Sequence, residues 1–303
     1  MTLRIGTRAS TLARAQAGAV AELLGAELVL IVSEGDTSSA SLASLGGTGV
    51  FATALRDALL AGEVDAVVHS FKDLPTTPAP GLAIGAVPER ADARDALCTR
   101  DGSDLAGLPA GARVGTGSPR RRAQLAALRP DLELVDIRGN IDSRLERLVT
   151  TDPARALDAV VLAAAGLDRI GRLAAASELL PLEDWPTAPA QGALAIETRT
   201  GDERLVARLD HAETRLAVEA ERGVLARLEA GCAAPIGAHA FVEDGLLFLS
   251  ARVYRPDGGA FVTSSHAMAV DADAAADISA RVADELLSLG AADLAPLNPR
   301  QEP

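Results

Sequence analysis

The sequence predicts an α/β protein with more than one domain. Short apolar runs alternate with helical patterns along the chain, and this alternation is typical of α/β units built around parallel or mixed sheets. The pattern of the first unit is repeated in the same order further along the chain. A length of 303 residues suits two or three domains better than a single compact core.

The first unit begins with a predicted strand at residues 3–6 and a helix over 11–24, for which Ser10 is the expected N-cap. A second strand is predicted at 28–32, a loop at 33–49, a helix at 51–61 and a strand at 64–68. The glycine cluster of the loop lacks the Gly-Lys-Ser/Thr of a P-loop, so nucleotide binding is not favoured. The last strand leads directly into HSFKDLP at 69–75. Ligands gather at the carboxyl ends of strands in open α/β sheets, so this segment is a candidate site.

The second unit follows a polar stretch at residues 88–95, which we interpret as the first crossing between two lobes. A strand is predicted at 113–115 and a turn at 116–118, with Ser118 as N-cap and Pro119 in the first helical position. Further strands are predicted at 132–137 and 159–162. The last part of the chain predicts a helix at 216–228, strands at 238–242, 246–253 and 260–269, and a helix at 272–289.

Composition excludes several function classes. A net charge of −13 argues against nonspecific binding to nucleic acid or to an anionic membrane surface. Cys98 and Cys232 lie far apart and the four histidines have no metal-ligand spacing, so we expect neither a disulfide framework nor a metal. The sequence shows no stretch of signal-peptide length and no membrane span. We therefore expect a cytoplasmic protein, monomeric by default.

Lys72 is the only lysine in the chain, and every other residue in the Lys and Arg count is an arginine. A lysine ammonium is compact and can form a Schiff base when deprotonated, whereas a guanidinium stays charged and planar. The alternative is codon bias with one lysine left over. Position 72 is therefore either a chemically selected amine or an accident of composition.

Arginines recur where predicted strands end. A single arginine is ordinarily a solvated side chain, but a repeated position at the same edge of two lobes predicts an anion-binding cleft. Each charge-assisted hydrogen bond contributes about 1.5–3 kcal/mol, so a small ligand with several carboxylates could be held firmly. The residues in question are Arg8, Arg120, Arg121, Arg138 and Arg169.

Seven motifs in order give the chain a resemblance to the porphobilinogen deaminase family, also called hydroxymethylbilane synthases. They are RIGTRAS at 4–10, VVHSFKDLP at 67–75, VGTGSPRR at 114–121, RGN at 138–140, AGLDR at 165–169, PAQGA at 189–193 and EAGCAAPIG at 229–237. The resemblance extends from residue 3 to about residue 289. It implies an enzyme that joins four porphobilinogen molecules head to tail, with loss of ammonia, into 1-hydroxymethylbilane for tetrapyrrole and heme biosynthesis.

The resemblance also implies a covalent cofactor and a fold. The product grows on a dipyrromethane cofactor held by a thioether to the cysteine that Cys232 matches. Three α/β domains are expected, the first two similar to the lobes of a two-lobed solute-binding protein and the third a small sheet with helices on one face. Their expected bounds are 1–90 with 189–211, 91–188, and 212–303.

Residue roles follow from the same resemblance. Asp73 is expected to be catalytic, because a carboxylate against the pyrrole N–H groups can stabilise the cation left when ammonia departs and can help to move protons. The cofactor is expected to contact Ser70, Lys72, Thr116, Ser118, Arg120, Arg121 and Arg144. The incoming porphobilinogen is expected to contact Arg8, Ser10, Gln16, Arg138, Arg169 and Gln191.

Some features keep alternatives open. The loop at 38–50, our leading mobile element, has Ser44 and Thr48 where the family often has lysines. A non-catalytic, two-lobed anion receptor would explain the arginines but not the setting of Cys232. An enzyme that forms a Schiff base through Lys72 would explain the amine, although the neighbouring Asp73 should keep that amine protonated.

Overall fold

The computed structural model describes residues 2–31, 49–229 and 234–297. The chain forms two compact units, of which the first comprises residues 1–91 and 192–216 and the second residues 92–191 and 217–303. The strands are Arg4–Thr7 (β1), Glu27–Leu30 (β2), Ala66–Ser70 (β3), Leu82–Ala86 (β4), Asp95–Thr99 (β5), Arg113–Gly115 (β6), Glu133–Val135 (β7), Ala159–Ala163 (β8), Glu178–Leu180 (β9), Leu194–Arg199 (β10), Ile236–Glu243 (β11), Leu246–Tyr254 (β12) and Phe261–Ala269 (β13). The helices are Thr11–Leu24 (α1), Gly49–Leu60 (α2), Pro119–Leu128 (α3), Ile141–Val149 (α4), Ala164–Arg169 (α5), Ala212–Arg227 (α6), Ala274–Ser288 (α7) and Ala291–Leu294 (α8).

The first unit is built on a five-stranded sheet in the order β2-β1-β3-β10-β4. Strands β1, β2 and β3 are parallel, and β10 pairs antiparallel with both of its neighbours. Helix α1 buries Ala17, Val20 and Ala21 against the sheet, a spacing that places all three on one helical face. The parallel arrangement brings the carboxyl ends of β1 and β3 to the same edge.

The second unit repeats this plan in a sheet with the order β7-β6-β8-β5-β9. Strands β6, β7 and β8 are parallel, and β5 is antiparallel to β8. The same unit holds a three-stranded antiparallel sheet of β11, β12 and β13, whose core is shared with α7 through Ile278, Val282 and Leu286. The fold is therefore α/β, with two similar five-stranded sheets and a smaller third sheet, as the sequence predicts.

The predicted helix starts are confirmed in detail. The Ser10 hydroxyl accepts a hydrogen bond from the backbone N–H of Ala13 at 3.3 Å. The Ser118 hydroxyl accepts one from the N–H of Arg121 at 3.5 Å, and Pro119 is the first residue of α3. Side-chain caps depend on residue type at a fixed offset, which is why the sequence located them.

Several elements differ from the prediction. The polar stretch 88–95 was interpreted as a crossing throughout, but Asp95 is the first residue of β5 and is fully buried. Strands β4, β5, β9 and β10 were not predicted, and α6 begins at Ala212 rather than at residue 216. The predicted mobile loop, with Ser44 and Thr48, lies outside the described residues except for the start of α2. Across the described ranges, no helix has the length and apolar character needed to cross a membrane.

Candidate active site

A cavity of about 250 Å³ lies in the first unit at the edge where β1 and β3 end. Its polar lining comes from Arg8, Gln16, His69, Ser70 and Asp73. The arrangement places a cation, a carboxylate and several hydrogen-bonding groups around one space, so a small polar ligand with charges of both signs fits it. Four of these five residues are among the predicted site residues; His69 is not.

The turn after β3 determines where Lys72 and Asp73 lie. Residues Phe71–Asp73 form a single 3₁₀ turn, and Leu74 donates its N–H to the Phe71 carbonyl at 3.2 Å. The Phe71 ring is buried, and its N–H is bonded to the Ala193 carbonyl at 3.1 Å. Phe71 is thus fixed in the interior of the first unit, while Lys72 is half-buried and Asp73 is exposed to the cavity.

Helix α1 contributes Ala13 and Gln16 to the cavity lining. The Gln16 side chain is buried and donates from Nε2 to the Ser70 hydroxyl at 2.8 Å. This bond joins two of the predicted binding residues across 54 positions of sequence. The Ser10 hydroxyl, by contrast, is engaged in capping α1.

A buried carboxylate next to this cavity was missed by sequence reasoning. Glu197 on β10 is held by Arg56, whose Nε lies 3.0 and 3.1 Å from the two carboxylate oxygens and whose Nη2 lies 2.7 Å from Oε1. Its Oε2 is also 3.1 Å from Nε2 of His69. Burial by itself raises the pKa of Glu197, but His69 and Arg56 outweigh it and lower the pKa to about 2. Only the pairing of β3 with β10 brings these groups together, and sequence spacing carries no sign of it.

In the second unit, the turn after β6 presents the predicted residues Thr116 and Ser118. Thr116 is fully buried, and its hydroxyl accepts from the backbone N–H of Ser118 at 3.2 Å. Arg120 and Arg121 follow on the first turn of α3, and both are buried. The sequence predicts both arginines as carboxylate ligands at a strand end, and in the structure their guanidinium groups are buried.

Asp95 explains how two guanidinium groups can be buried side by side. Its carboxylate accepts four bonds: from Arg120 Nη2 at 2.8 Å, Arg121 Nη2 at 2.6 Å, Trp185 Nε1 at 2.8 Å and Gln191 Nε2 at 2.7 Å. Burial works to raise the pKa of Asp95, but the charges and hydrogen bonds of the arginines hold it far below the usual range. The predicted substrate residue Gln191 is thus a buried member of this network.

The network retains hydrogen-bonding capacity and positive charge. The Nε atoms of Arg120 and Arg121 are buried and have no hydrogen-bond partner among the described residues. Two guanidinium groups share one carboxylate, so the cluster keeps a formal excess of one positive charge. Buried donors without a partner are costly, and a ligand carboxylate is the group that would satisfy them.

Further arginines extend this charge. Arg144, on α4, donates from Nε to the Gly139 carbonyl at 3.0 Å. Burial lowers its pKa, and the nearby charges of Arg121 and Arg138 lower it further. Arg138 is exposed and 3.4 Å from the Asp136 carboxylate. Burial likewise lowers the pKa of Arg169 at the end of α5. Cations that destabilise one another in this way favour the binding of an anion.

Cys232 lies in residues 230–233, outside the described part of the chain. The flanking residues are described, and Ile236 begins β11 with its N–H bonded to the Ala234 carbonyl at 2.8 Å. The other cysteine, Cys98, is buried on β5, and burial raises the pKa of its thiol to about 11. A thiol in that state is a poor nucleophile.

Taken unit by unit, the fold and side chains define an α/β protein whose arginines suit a small ligand with several carboxylates. Residues 3–207 match the family profile described as "Porphobilinogen deaminase, dipyromethane cofactor binding domain", and residues 215–288 match its C-terminal domain. A porphobilinogen deaminase of Leifsonia xyli subsp. xyli is 60% identical, with 97% of this chain and 94% of that protein covered. One of Thermobifida fusca is 52% identical, with 95% and 94% covered.

The chain belongs to the porphobilinogen deaminase family. It is accordingly an enzyme of the hydroxymethylbilane synthase type, with the domain that binds a dipyrromethane cofactor. Among solved structures, a substrate-binding domain of a putative amino acid ABC transporter from Streptococcus pneumoniae matches at 13% identity and a TM-score of 0.40. That match covers 69% of this chain and 91% of the other.

Proposed function

We propose that the chain condenses porphobilinogen stepwise and releases 1-hydroxymethylbilane by hydrolysis, with Asp73 as the catalytic carboxylate and Cys232 as the attachment point of the cofactor. The observation that carries the proposal is the cavity of the first unit, in which Asp73 and Arg8 line the same space. Porphobilinogen bears carboxylates for a guanidinium and a pyrrole N–H for a carboxylate. A site that has both a guanidinium and a carboxylate can bind the carboxylates and the pyrrole N–H of such a molecule.

Asp73 acts on charge and protons. When the aminomethyl carbon loses ammonia, its bond breaks toward nitrogen and positive charge spreads into the pyrrole ring and its N–H. A carboxylate aligned with that N–H stabilises the charge as it forms. Asp73 suits this role because it lies on a short turn whose buried Phe71 fixes the backbone, so the carboxylate is already positioned when the charge develops.

The dipyrromethane group, when bound, would supply the free ring carbon to which the first porphobilinogen unit is joined. The residues present fit it, because the Nε donors of Arg120 and Arg121 lack partners among the described residues and its carboxylates would satisfy them. We assign the holding of these carboxylates to Lys72 and Ser70 in the first unit and to Thr116, Ser118, Arg120, Arg121 and Arg144 in the second.

The incoming substrate is assigned to a second group of residues. Arg8 and Gln16 line the cavity with Asp73, and Ser10 caps the helix that carries Gln16. Arg138 follows β7, Arg169 is the last residue of α5, the helix after β8, and Gln191 is anchored to Asp95. The residues that we assign to substrate binding are therefore Arg8, Ser10, Gln16, Arg138, Arg169 and Gln191.

We further propose a monomeric, cytoplasmic enzyme with three domains, at 1–90 with 189–211, 91–188 and 212–303. A net charge of −13 supports the absence of nucleic-acid and membrane partners. The separate three-stranded sheet of β11–β13 supports a third domain, and we assign Cys232 to that domain.

Intact mass spectrometry tests the covalent part of the proposal. Protein from cells that make porphobilinogen should carry an adduct of two pyrrole units, and Cys232→Ser should lack it. An unmodified wild-type chain would contradict the cofactor assignment. A substrate adduct on Lys72 that borohydride traps would support the Schiff-base alternative instead.

Turnover tests the role of Asp73. Asp73→Asn should lower kcat by at least about 100-fold while the circular dichroism spectrum stays unchanged. Asp101→Asn is the matched control, because Asp101 is an exposed carboxylate that accepts hydrogen bonds from Ser103 and does not line the cavity. Near-normal kcat in Asp73→Asn, or an equal loss in the control, would remove Asp73 from the mechanism.

A further inference from the structure

The group that the proposed mechanism leaves unused is His69, at the wall of the same cavity as Asp73. The ring is buried, and it belongs to β3 immediately before Ser70. In the antiparallel pairing of β3 with β10, His69 is paired with Ala195 and Val67 is paired with Glu197. His69 and Glu197 are therefore diagonal neighbours on one face of the sheet, within reach of each other's side chains.

The carboxylate of Glu197 determines which ring nitrogen bears hydrogen. An ionised carboxylate only accepts hydrogen bonds, and Oε2 lies 3.1 Å from Nε2 of His69. Nε2 has no hydrogen-bond partner among the described residues, so the contact with Glu197 is chiefly electrostatic. A lone pair on Nε2 would be repelled by this oxygen, and Nε2 must carry the proton. In the neutral ring, Nδ1 is then the basic nitrogen.

Arg56 keeps this arrangement fixed. Its three contacts to Glu197, all between 2.7 and 3.1 Å, hold the carboxylate ionised and in one orientation. The charged groups around the His69 ring within the described residues are thus Glu197 and Arg56 on the sheet side, and Arg8 and Asp73 in the cavity lining. A histidine oriented by a buried carboxylate beside a reaction space is the arrangement of a general base.

We propose that Nδ1 of His69 is a proton acceptor in the condensation step. The inference rests on the proposed function. Once the new carbon–carbon bond has formed, the ring carbon still bears a hydrogen. Its C–H bond breaks, the electron pair restores the aromatic ring and the proton passes to Nδ1. Glu197 stabilises the imidazolium, which then releases the proton to water. Asp73 is left to stabilise the positive charge of the pyrrole.

Nitrogen NMR of histidine-labelled protein tests the tautomer without any turnover. The chain has four histidines, and the signal missing in His69→Gln assigns the ring. Wild-type His69 should show a protonated Nε2 and a basic Nδ1, and Glu197→Gln should give a mixture of tautomers. A proton on Nδ1 of the neutral wild-type ring would overturn the proposal.

Kinetics with chemical rescue provide the second test. In His69→Ala, kcat per cofactor-loaded molecule should fall by about 100-fold or more with KM within a few-fold, and the acidic limb of the pH–rate profile should disappear. Added imidazole should restore activity, whereas pyrazole, which has the same size and is a far weaker base, should not. An unchanged pH profile, or rescue by both compounds, would contradict a role in proton transfer.

Controls separate this inference from the proposed function. His211→Gln alters another histidine of the first unit, one that bonds Thr214 at 2.9 Å and is absent from the cavity lining, and it should keep the wild-type pH profile. If His69→Ala fails to fold, His69→Gln replaces it in the kinetic comparison. Product formation by the wild type with normal kinetics of the folded His69 variants would leave the proposed function standing and refute the role of His69.

Discussion

Asp95→Asn should destabilise the second unit strongly. The asparagine side chain has the same shape but no charge, and one of its two polar atoms is a donor. Four donors converge on the Asp95 carboxylate, at 2.6–2.8 Å. After the substitution, some of them would face an N–H₂ group, and both buried guanidinium groups would lose their counter-charge.

The expected loss is about 3–5 kcal/mol in the free energy of unfolding, the usual cost of breaking a buried ion pair from one side. For a unit of this size, that corresponds to a fall in Tm of about 10 °C. The effect should persist from neutral pH down to the ordinary carboxylate range. Because the pKa of Asp95 is lowered in the folded state, its stabilising contribution is present above the unfolded pKa and is lost only as the pH falls below it.

Thermal unfolding followed by circular dichroism and by fluorescence provides the measurement. Trp185 is the single tryptophan of the chain, and its indole N–H is bonded to Asp95, so its emission reports directly on the network. Asp131→Asn is the control: Asp131 also receives two hydrogen bonds from one arginine, Arg129, but at the surface. If Asp95→Asn shifts Tm no more than Asp131→Asn does, the carboxylate does not hold the arginines in place and the reasoning fails.

Two further predictions concern the first unit. The pKa of Glu197 is lowered from 4.5 to about 2 because His69 and Arg56 outweigh burial. The ionised Glu197 should therefore stabilise the folded protein by about 3 kcal/mol, fully above pH 4.5 and no longer once the pH has fallen through about 2. Acid unfolding curves of wild type and Glu197→Gln should converge at the lowest pH, and a constant gap between them would contradict this. Reductive methylation should modify only Lys72 and the amino terminus, since no other lysine exists. Mass spectrometry should show slower modification of Lys72 in cofactor-loaded protein than in Cys232→Ser if Lys72 binds a cofactor carboxylate, and equal rates would argue against that contact.

Local rules of chain structure account for what the sequence predicted well. Ser10 and Ser118 were located as helix caps because capping depends on a residue type and a short offset. The alternation of strands and helices also predicted that Arg8, Ser70 and Asp73 follow the ends of parallel strands. Chain-local information therefore located three of the five polar residues that line the first-unit cavity.

Long-range pairing accounts for what the sequence could not show. Asp95 stands in a run of charged residues that resembles a solvated linker, and nothing local reveals that four donors converge on it. Glu197 meets Arg56 across 141 positions and meets His69 through the pairing of β10 with β3. Such contacts depend on topology, and strand β10 itself was not predicted. Asp95 was consequently interpreted as part of a polar crossing, and Glu197 and Trp185 were not identified as buried members of these networks.

The position of β10 has a consequence for synthesis of the chain. This strand lies between β3 and β4, yet it is translated about 100 residues after β4, a delay of about 5–20 s on the ribosome at rates of about 5–20 residues per second. During that interval the N-terminal strands have an open gap in their sheet, while the strands β5–β9 of the second unit emerge as one continuous segment. The second five-stranded sheet can therefore close first, and the amino-terminal part of the protein completes its fold after the middle.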